Sequence, residues 1–244
     1  MMDAYAAIHS RRDVRSGFLP DVPVADDVLT RVLEAAHAAP SVGLSQPWDF
    51  LVLRDRDLRQ RVHAHVAAER AAYAAELPAA RAAAFRELKV EAILDTPLNI
   101  AVTCDPTRGG RHTLGRRTQP RTAGYSAAAA VQNLWLAARA EGLGVGWVSF
   151  ADERGLAALL GLPAHLEVVA YLCVGHVAEF RPEPELATAG WAARRPLRWA
   201  VHHDATGGGR CPARSLRTCS PRRSPRSRPR TRPRGPRPSS GWTG

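Results

Sequence analysis

Residues 126–150 read "SAAAAVQNLWLAARAEGLGVGWVSF", and this stretch decides the fold. Val131, Leu134, Trp135 and Ala138 recur at helical spacing, so residues 126–141 are expected to form a helix with Gly142 at its C-terminal cap. The helix is apolar around much of its circumference and must be covered on more than one side, either by its own domain or by a second subunit. "VGWVSF" (145–150) then reads as a strand. An apolar helix feeding directly into a glycine-rich strand points to helices packed on a sheet.

Working outward, "EVVAYLCVGHV" (167–177) is the strongest strand, "LNIAVTC" (98–104) a second and "FLVLR" (50–54) a third. Asp26 and Asp27 precede an amphipathic helix, which they are expected to cap and which ends before Pro40. Residues 55–94 are Ala- and charge-rich, helical and broken near Pro78, whereas residues 105–124 are irregular. Asp152 opens a short helix. The uneven alternation of helices and strands suggests a central sheet with helices packed on it, an α+β or α/β sandwich.

The 244 residues carry a net charge of +11. Residues 205–244 alone hold 11 arginines and no acidic residue, which leaves residues 1–204 near neutral. The expected organisation is therefore one catalytic domain, 1–204, and an Arg/Pro/Ser-rich disordered tail, 205–244. Two readings fit the tail. One is a tether to nucleic acid or an anionic surface; the preferred one is translation of a GC-rich gene in a shifted frame. Nucleic acid is accordingly not an expected partner of the body. Cys104 and Cys173 lie in strand-like runs, and no metal-ligand spacing is present. No signal peptide and no membrane-length apolar run are visible, which makes the cytoplasm the default compartment.

Four segments could carry chemistry. "SRRDVR" (10–15) sets Asp13 among Arg11, Arg12 and Arg15, whose planar guanidiniums suit phosphate oxygens. Those cations favour an ionised Asp13. "HAAPSVGLSQPW" (37–48) frames Ser41, Ser45 and Gln46 in a rigid loop suited to a flat heteroaromatic ligand. The glycines of "GLGVGWVSF" allow close backbone approach but precede a strand, so they are not a dinucleotide fingerprint. "WAARRPLRW" adds Arg194 and Arg195 for the same anion. Each has a plain alternative: a solvated cluster, a simple turn, a lone hydroxyl.

Taken in order and spacing, "SRRDVRSGFLPD", "AAHAAPSVGLSQPWDF", "LKVEAILDTPLNIAVTCD", "YSAAAAVQNLWLAARAEGLGVGWVSF", "VVAYLCVGHV" and "RRPL" resemble the 5,6-dimethylbenzimidazole synthase family. That family is a branch of the flavin-binding nitroreductase superfamily. The likeness runs from Tyr5 to Trp199. It implies the α+β nitroreductase-like sandwich, a central mixed, mainly antiparallel sheet flanked by helices, as an intertwined homodimer with FMN at the subunit interface. It also implies that reduced FMN is fragmented with O2 to 5,6-dimethylbenzimidazole and erythrose 4-phosphate, a separate NAD(P)H flavin reductase supplying the FMNH2. No metal is implied. Arg11, Arg12 and Arg15, with Arg194 and Arg195, would hold the phosphate and ribityl end. Ser41, Gln46 and Lys89 would touch the flavin, Ser149 would lie near its reactive face, and Asp13 would be the acid/base group. The chain departs from the family at Leu44-Ser45, at Asp49 and at "RTAG" before Tyr125, which would place Ser45 and Ala123 near a lid over the flavin. A plain NAD(P)H-dependent nitroreductase and a non-catalytic flavin- or anion-binding protein are the rival readings.

Overall fold

The computed structural model describes residues 2–202, in two units divided after Arg194. In the first, strands Trp48–Leu53 (β1), Leu98–Cys104 (β2), Leu143–Val148 (β3) and Glu167–His176 (β4) form one antiparallel sheet in the order β1-β2-β4-β3. The parallel component of the expected mixed sheet is a single bridge, Asp13 to Val145 on the free edge of β3. The second unit contributes a short 3₁₀ turn, Leu197–Trp199. The tail expected at 205–244, and the 204/205 boundary, lie outside the described residues.

Side-chain alternation along the strands feeds two cores, one on each face of the sheet. Ile100, Val102, Cys104, Ala170, Leu172 and Val174 pack under helices Asp26–His37 (α2) and Thr122–Ala140 (α5). Ala101, Tyr171 and Cys173 face the other way, toward Val62 and Val66 of helix Arg56–Glu76 (α3) and Leu156 of helix Glu153–Leu159 (α6). Both central strands are thus buried on both sides, as their continuous apolar runs require. The cysteines pack as small core side chains. Burial pushes the Cys104 thiol up to about 11 and that of Cys173 to about 12, so neither is a nucleophile at neutral pH.

Several boundaries differ from the sequence reading, each for a local reason. α5 begins at Thr122, four residues early, because Gly124 has open space around it and interrupts nothing. α5 packs on α2, on helix Ala4–Ser10 (α1) and on all four strands. Its apolar girth is therefore largely explained within one chain, and it carries less weight as an argument for a dimer. α2 is preceded by Ala25, so Asp26 and Asp27 occupy its first turn, favourable to the helix dipole but not capping. β3 starts at Leu143 and ends at Val148, which leaves Ser149 beyond the strand. α1 was absent from the sequence reading. It is seven residues long, buries Ala7 alone and begins where the Asp3 carboxylate accepts the Ala6 N–H at 2.8 Å.

Candidate active site

The candidate site is built in two halves, at opposite edges of the sheet. The first half lies along β3. The Val14 N–H donates to the Val145 carbonyl at 3.0 Å, laying residues 13–15 beside the strand as a rudimentary fifth member. Such an approach is possible because Gly144 and Gly146 lack side chains. A Cβ on Gly146 would sit 2.2 Å from the Val14 carbonyl oxygen, and one on Gly144 would meet Val177 and Phe18. The close approach read from these glycines is thus made by the chain's own amino-terminal segment.

This packing fixes Asp13. Its Oδ1 accepts the Trp147 N–H at 3.0 Å, and its Oδ2 accepts Arg15 Nε at 2.9 Å and Nη2 at 2.5 Å. Arg15 is held in turn by the carbonyls of Val90 and Trp147. The carboxylate remains 35% exposed and, with Arg15 and Lys89, lines a cavity of about 430 Å³. Ser16, Arg181 and the helix Glu185–Thr188 (α7) close the far wall, where Ser16 Oγ donates to Glu185 Oε1 at 2.8 Å. Lys89 is paired with Asp95. The segment carrying both Lys89 and Val90 is pinned by buried Arg59, which donates to the carbonyls of Thr96 at 2.6 Å and Ile93 at 3.4 Å.

The other arginines of the cluster differ in what they have left to offer. Arg12 donates four hydrogen bonds to the carbonyls of Pro182, His9 and Arg11, and its own carbonyl accepts Trp135 Nε1–H. It is an anchor first. Arg11 stacks over the Trp135 ring at 4.7 Å and makes no side-chain hydrogen bond or ion pair among the described residues. Burial lowers its pKa, Asp13 opposes that shift, and nearby Arg12 and Arg194 add to it. Arg195 belongs to the second unit, where it donates to the Trp199 carbonyl. Ser149 is exposed and lies in a different depression, with Glu69, Tyr73, Glu76 and Asp152.

The second half is the loop before β1. Gly43, Leu44 and Gln46 all take left-handed backbone conformations, with φ of 53°, 53° and 43°. For the two non-glycine residues this is a strained state that the surroundings must impose. Ser41 Oγ accepts the Gln46 N–H at 3.0 Å, and Ser126 Oγ accepts the Val42 N–H at 3.0 Å. Gln46 Nε2 lies 3.4 Å from His37 Nε2. Ser45 is buried with an unpartnered hydroxyl, and Ala123 is buried in the core. Sequence reading missed Arg108, which bonds both Asp49 and the loop; no local signal joins residues 59 apart.

These features match known proteins. Residues 8–176 match the model of the nitroreductase family. The 5,6-dimethylbenzimidazole synthase of Rhodospirillum rubrum is 45% identical over 186 residues, which cover 76% of this chain and 87% of that protein. The BluB-like flavoprotein of Clostridium difficile 630 superposes with a TM-score of 0.64 at 21% identity, over 83% of this chain and 99% of that one. Iodotyrosine deiodinase bound to FMN and 3-iodo-L-tyrosine also gives 0.64, at 20% identity, over 84% of this chain and all of that one. The chain belongs to the nitroreductase family and, within it, to the branch of the 5,6-dimethylbenzimidazole synthases. No helix among the described residues is long and apolar enough to cross a membrane, and no group of three His, Cys, Asp or Glu side chains gathers there.

Proposed function

We propose that this protein converts reduced FMN, with O2, to 5,6-dimethylbenzimidazole and erythrose 4-phosphate, the flavin being consumed rather than recycled. The observation that carries this reading is Asp13, whose two oxygens are fixed separately by Trp147 N–H and Arg15 at the wall of a cavity that also holds Lys89 and Arg181, with Glu87 and Glu185 balancing their charge. The donor set fits a flavin mononucleotide. Arg11, crowded by Arg12 and Arg194 and lacking an acceptor among the described residues, is suited to a phosphate dianion. Arg15, ion-paired with Asp13, and Lys89, paired with Asp95, lie on the same cavity wall as Asp13. Arg12 contributes mainly by holding the segment.

When bound, the reduced flavin supplies both the electrons for O2 and the carbon skeleton of the product. Asp13 then takes a proton from the ribityl carbon that becomes C2 of the product, and returns it later as an acid. Arg15 and the Trp147 N–H hold the carboxylate at the cavity wall, where the side chain stays partly exposed. The family resemblance assigns Ser41 and Gln46 to the ring edge and Ser149 to its reactive face, although within one chain Ser149 opens on a depression separate from the Asp13 cavity.

This assignment calls for a homodimer. Asp13 lies outside β3 beside Val145, which pairs with Val174, whereas Gln46 precedes β1, whose Trp48 reaches Glu167 through Cys104. Strand spacing and rise put the two roughly 25–30 Å apart within one chain. One flavin touched by both halves therefore takes Asp13 from one protomer and Ser41 and Gln46 from its partner. A separate NAD(P)H-dependent flavin reductase supplies the reduced flavin. The test is to give the purified protein FMNH2 and air and to seek 5,6-dimethylbenzimidazole by mass spectrometry. Rapid NAD(P)H oxidation with flavin recovered intact and no benzimidazole would establish a plain nitroreductase instead.

A further inference from the structure

We propose that Arg108 is a positioning residue for the flavin-edge loop, holding Gln46 in its left-handed conformation from across the sheet edge. The inference rests on Gln46 meeting the flavin and goes beyond it by naming what presents that side chain. Arg108 Nη1 shares its two N–H groups among the carbonyls of Trp48 at 2.9 Å and Gln46 at 3.3 Å and Asp49 Oδ1 at 3.0 Å. Its Nη2 donates to Asp49 Oδ2 at 2.6 Å, making the pair bidentate. One planar guanidinium thus grips three successive points where the loop becomes β1, a geometry for which lysine has no equivalent.

The grip comes where it is needed. Leu44 and Gln46 adopt backbone conformations that L-residues avoid, and such conformations persist only under outside constraint. Arg108 is itself secured, since Arg116 donates to its carbonyl and its Nε lies 3.7 Å from Asp105. The same polar segment packs against the loop from above, a Cβ on Gly43 falling 2.8 Å from the Leu114 nitrogen. Asp49 gains a purpose as well: a carboxylate there completes the fork that an amide would only half fill.

The experiment is a double-mutant cycle on the full chain, with FMN affinity read from flavin fluorescence and thermal melting followed in parallel. Gln46→Ala and Arg108→Met should each weaken FMN binding about tenfold, the scale of one lost hydrogen-bonded contact. The double variant should be little worse than either, because Arg108 acts through Gln46. Arg108→Lys, which keeps a donor for the carbonyls, should recover part of the loss, and it carries the same titration if Arg108→Met does not fold. A roughly hundredfold, additive loss in the double variant overturns the positioning role. So does a wild-type affinity for both Arg108 variants while Gln46→Ala binds weakly. Wild-type affinity for Gln46→Ala itself overturns the flavin-edge assignment, and this proposal with it.

Discussion

At the β3 edge, Asp13 is placed by regular geometry: a bridge to Val145, a main-chain donor from Trp147 and an ion pair two residues away. At the β1 edge, Ser41 and Gln46 are placed by irregular geometry, left-handed residues restrained by Ser126 and Arg108 from distant parts of the chain. A group that handles protons benefits from a fixed position, which ladder bonds and glycine contacts provide. The loop proposed to receive the flavin ring has an unusual backbone shape, which outside restraint must hold. The difference teaches where each half is vulnerable. The first fails when backbone approach is blocked, and the second when its clamps are cut.

The comparison can be broken most severely at Asp13. Asp13→Asn keeps an acceptor for the Trp147 N–H but loses the ion pair with Arg15 and the capacity to take a proton. Benzimidazole formation from FMNH2 and air should fall at least about 100-fold, the scale of a lost general base, while FMN affinity measured by fluorescence stays within a few-fold of wild type. Product formation at the wild-type rate would remove Asp13 from the chemistry.

Gly146→Ala attacks the same edge through packing. Its Cβ would meet the Val14 carbonyl, which is backbone and cannot swing aside, whereas at Gly144 the obstacles are the side chains of Val177 and Phe18. Gly146→Ala should therefore cost about 1–3 kcal/mol in chemical unfolding and reduce product formation, and Gly144→Ala should cost less on both measures. Equal behaviour of the two would mean that residues 13–15 do not depend on the close approach.

Ser149 sharpens the comparison with a smaller effect. It belongs to neither half, lying in a depression beside α3. Ser149→Ala should still allow O2 to consume FMNH2, but product per flavin oxidised should drop several-fold, with more FMN returned intact. An unchanged yield, read by chromatography of flavin and benzimidazole together, would leave Ser149 a surface hydroxyl.

What the sequence made legible follows from range. β2 and β4 stand out because strands buried on both faces need uninterrupted apolar runs, and α5 because its burial demands apolar residues around most of its girth. Asp13 and its arginines are readable as a cluster because they are adjacent in the chain. The division of labour among those arginines is not, since it depends on carbonyls at Val90, Trp147 and Pro182 that folding brings in. The partner of Gly144 and Gly146 was equally hidden: glycines announce a close approach without saying what approaches. The burial of Ala123 was not legible either, because α5 begins four residues before the apolar run that announces it. Arg108 and Asp49 look like two surface charges until the sheet edge joins them.

The most direct test of the account is a crystal structure of the protein with FMN bound. The ribityl chain should lie within hydrogen-bonding reach of the Asp13 carboxylate of one protomer, about 3 Å, with Ser41 and Gln46 of the other protomer at the ring edge. A flavin seated wholly within one chain, or an Asp13 side chain directed away from it into solvent, would contradict the central claim.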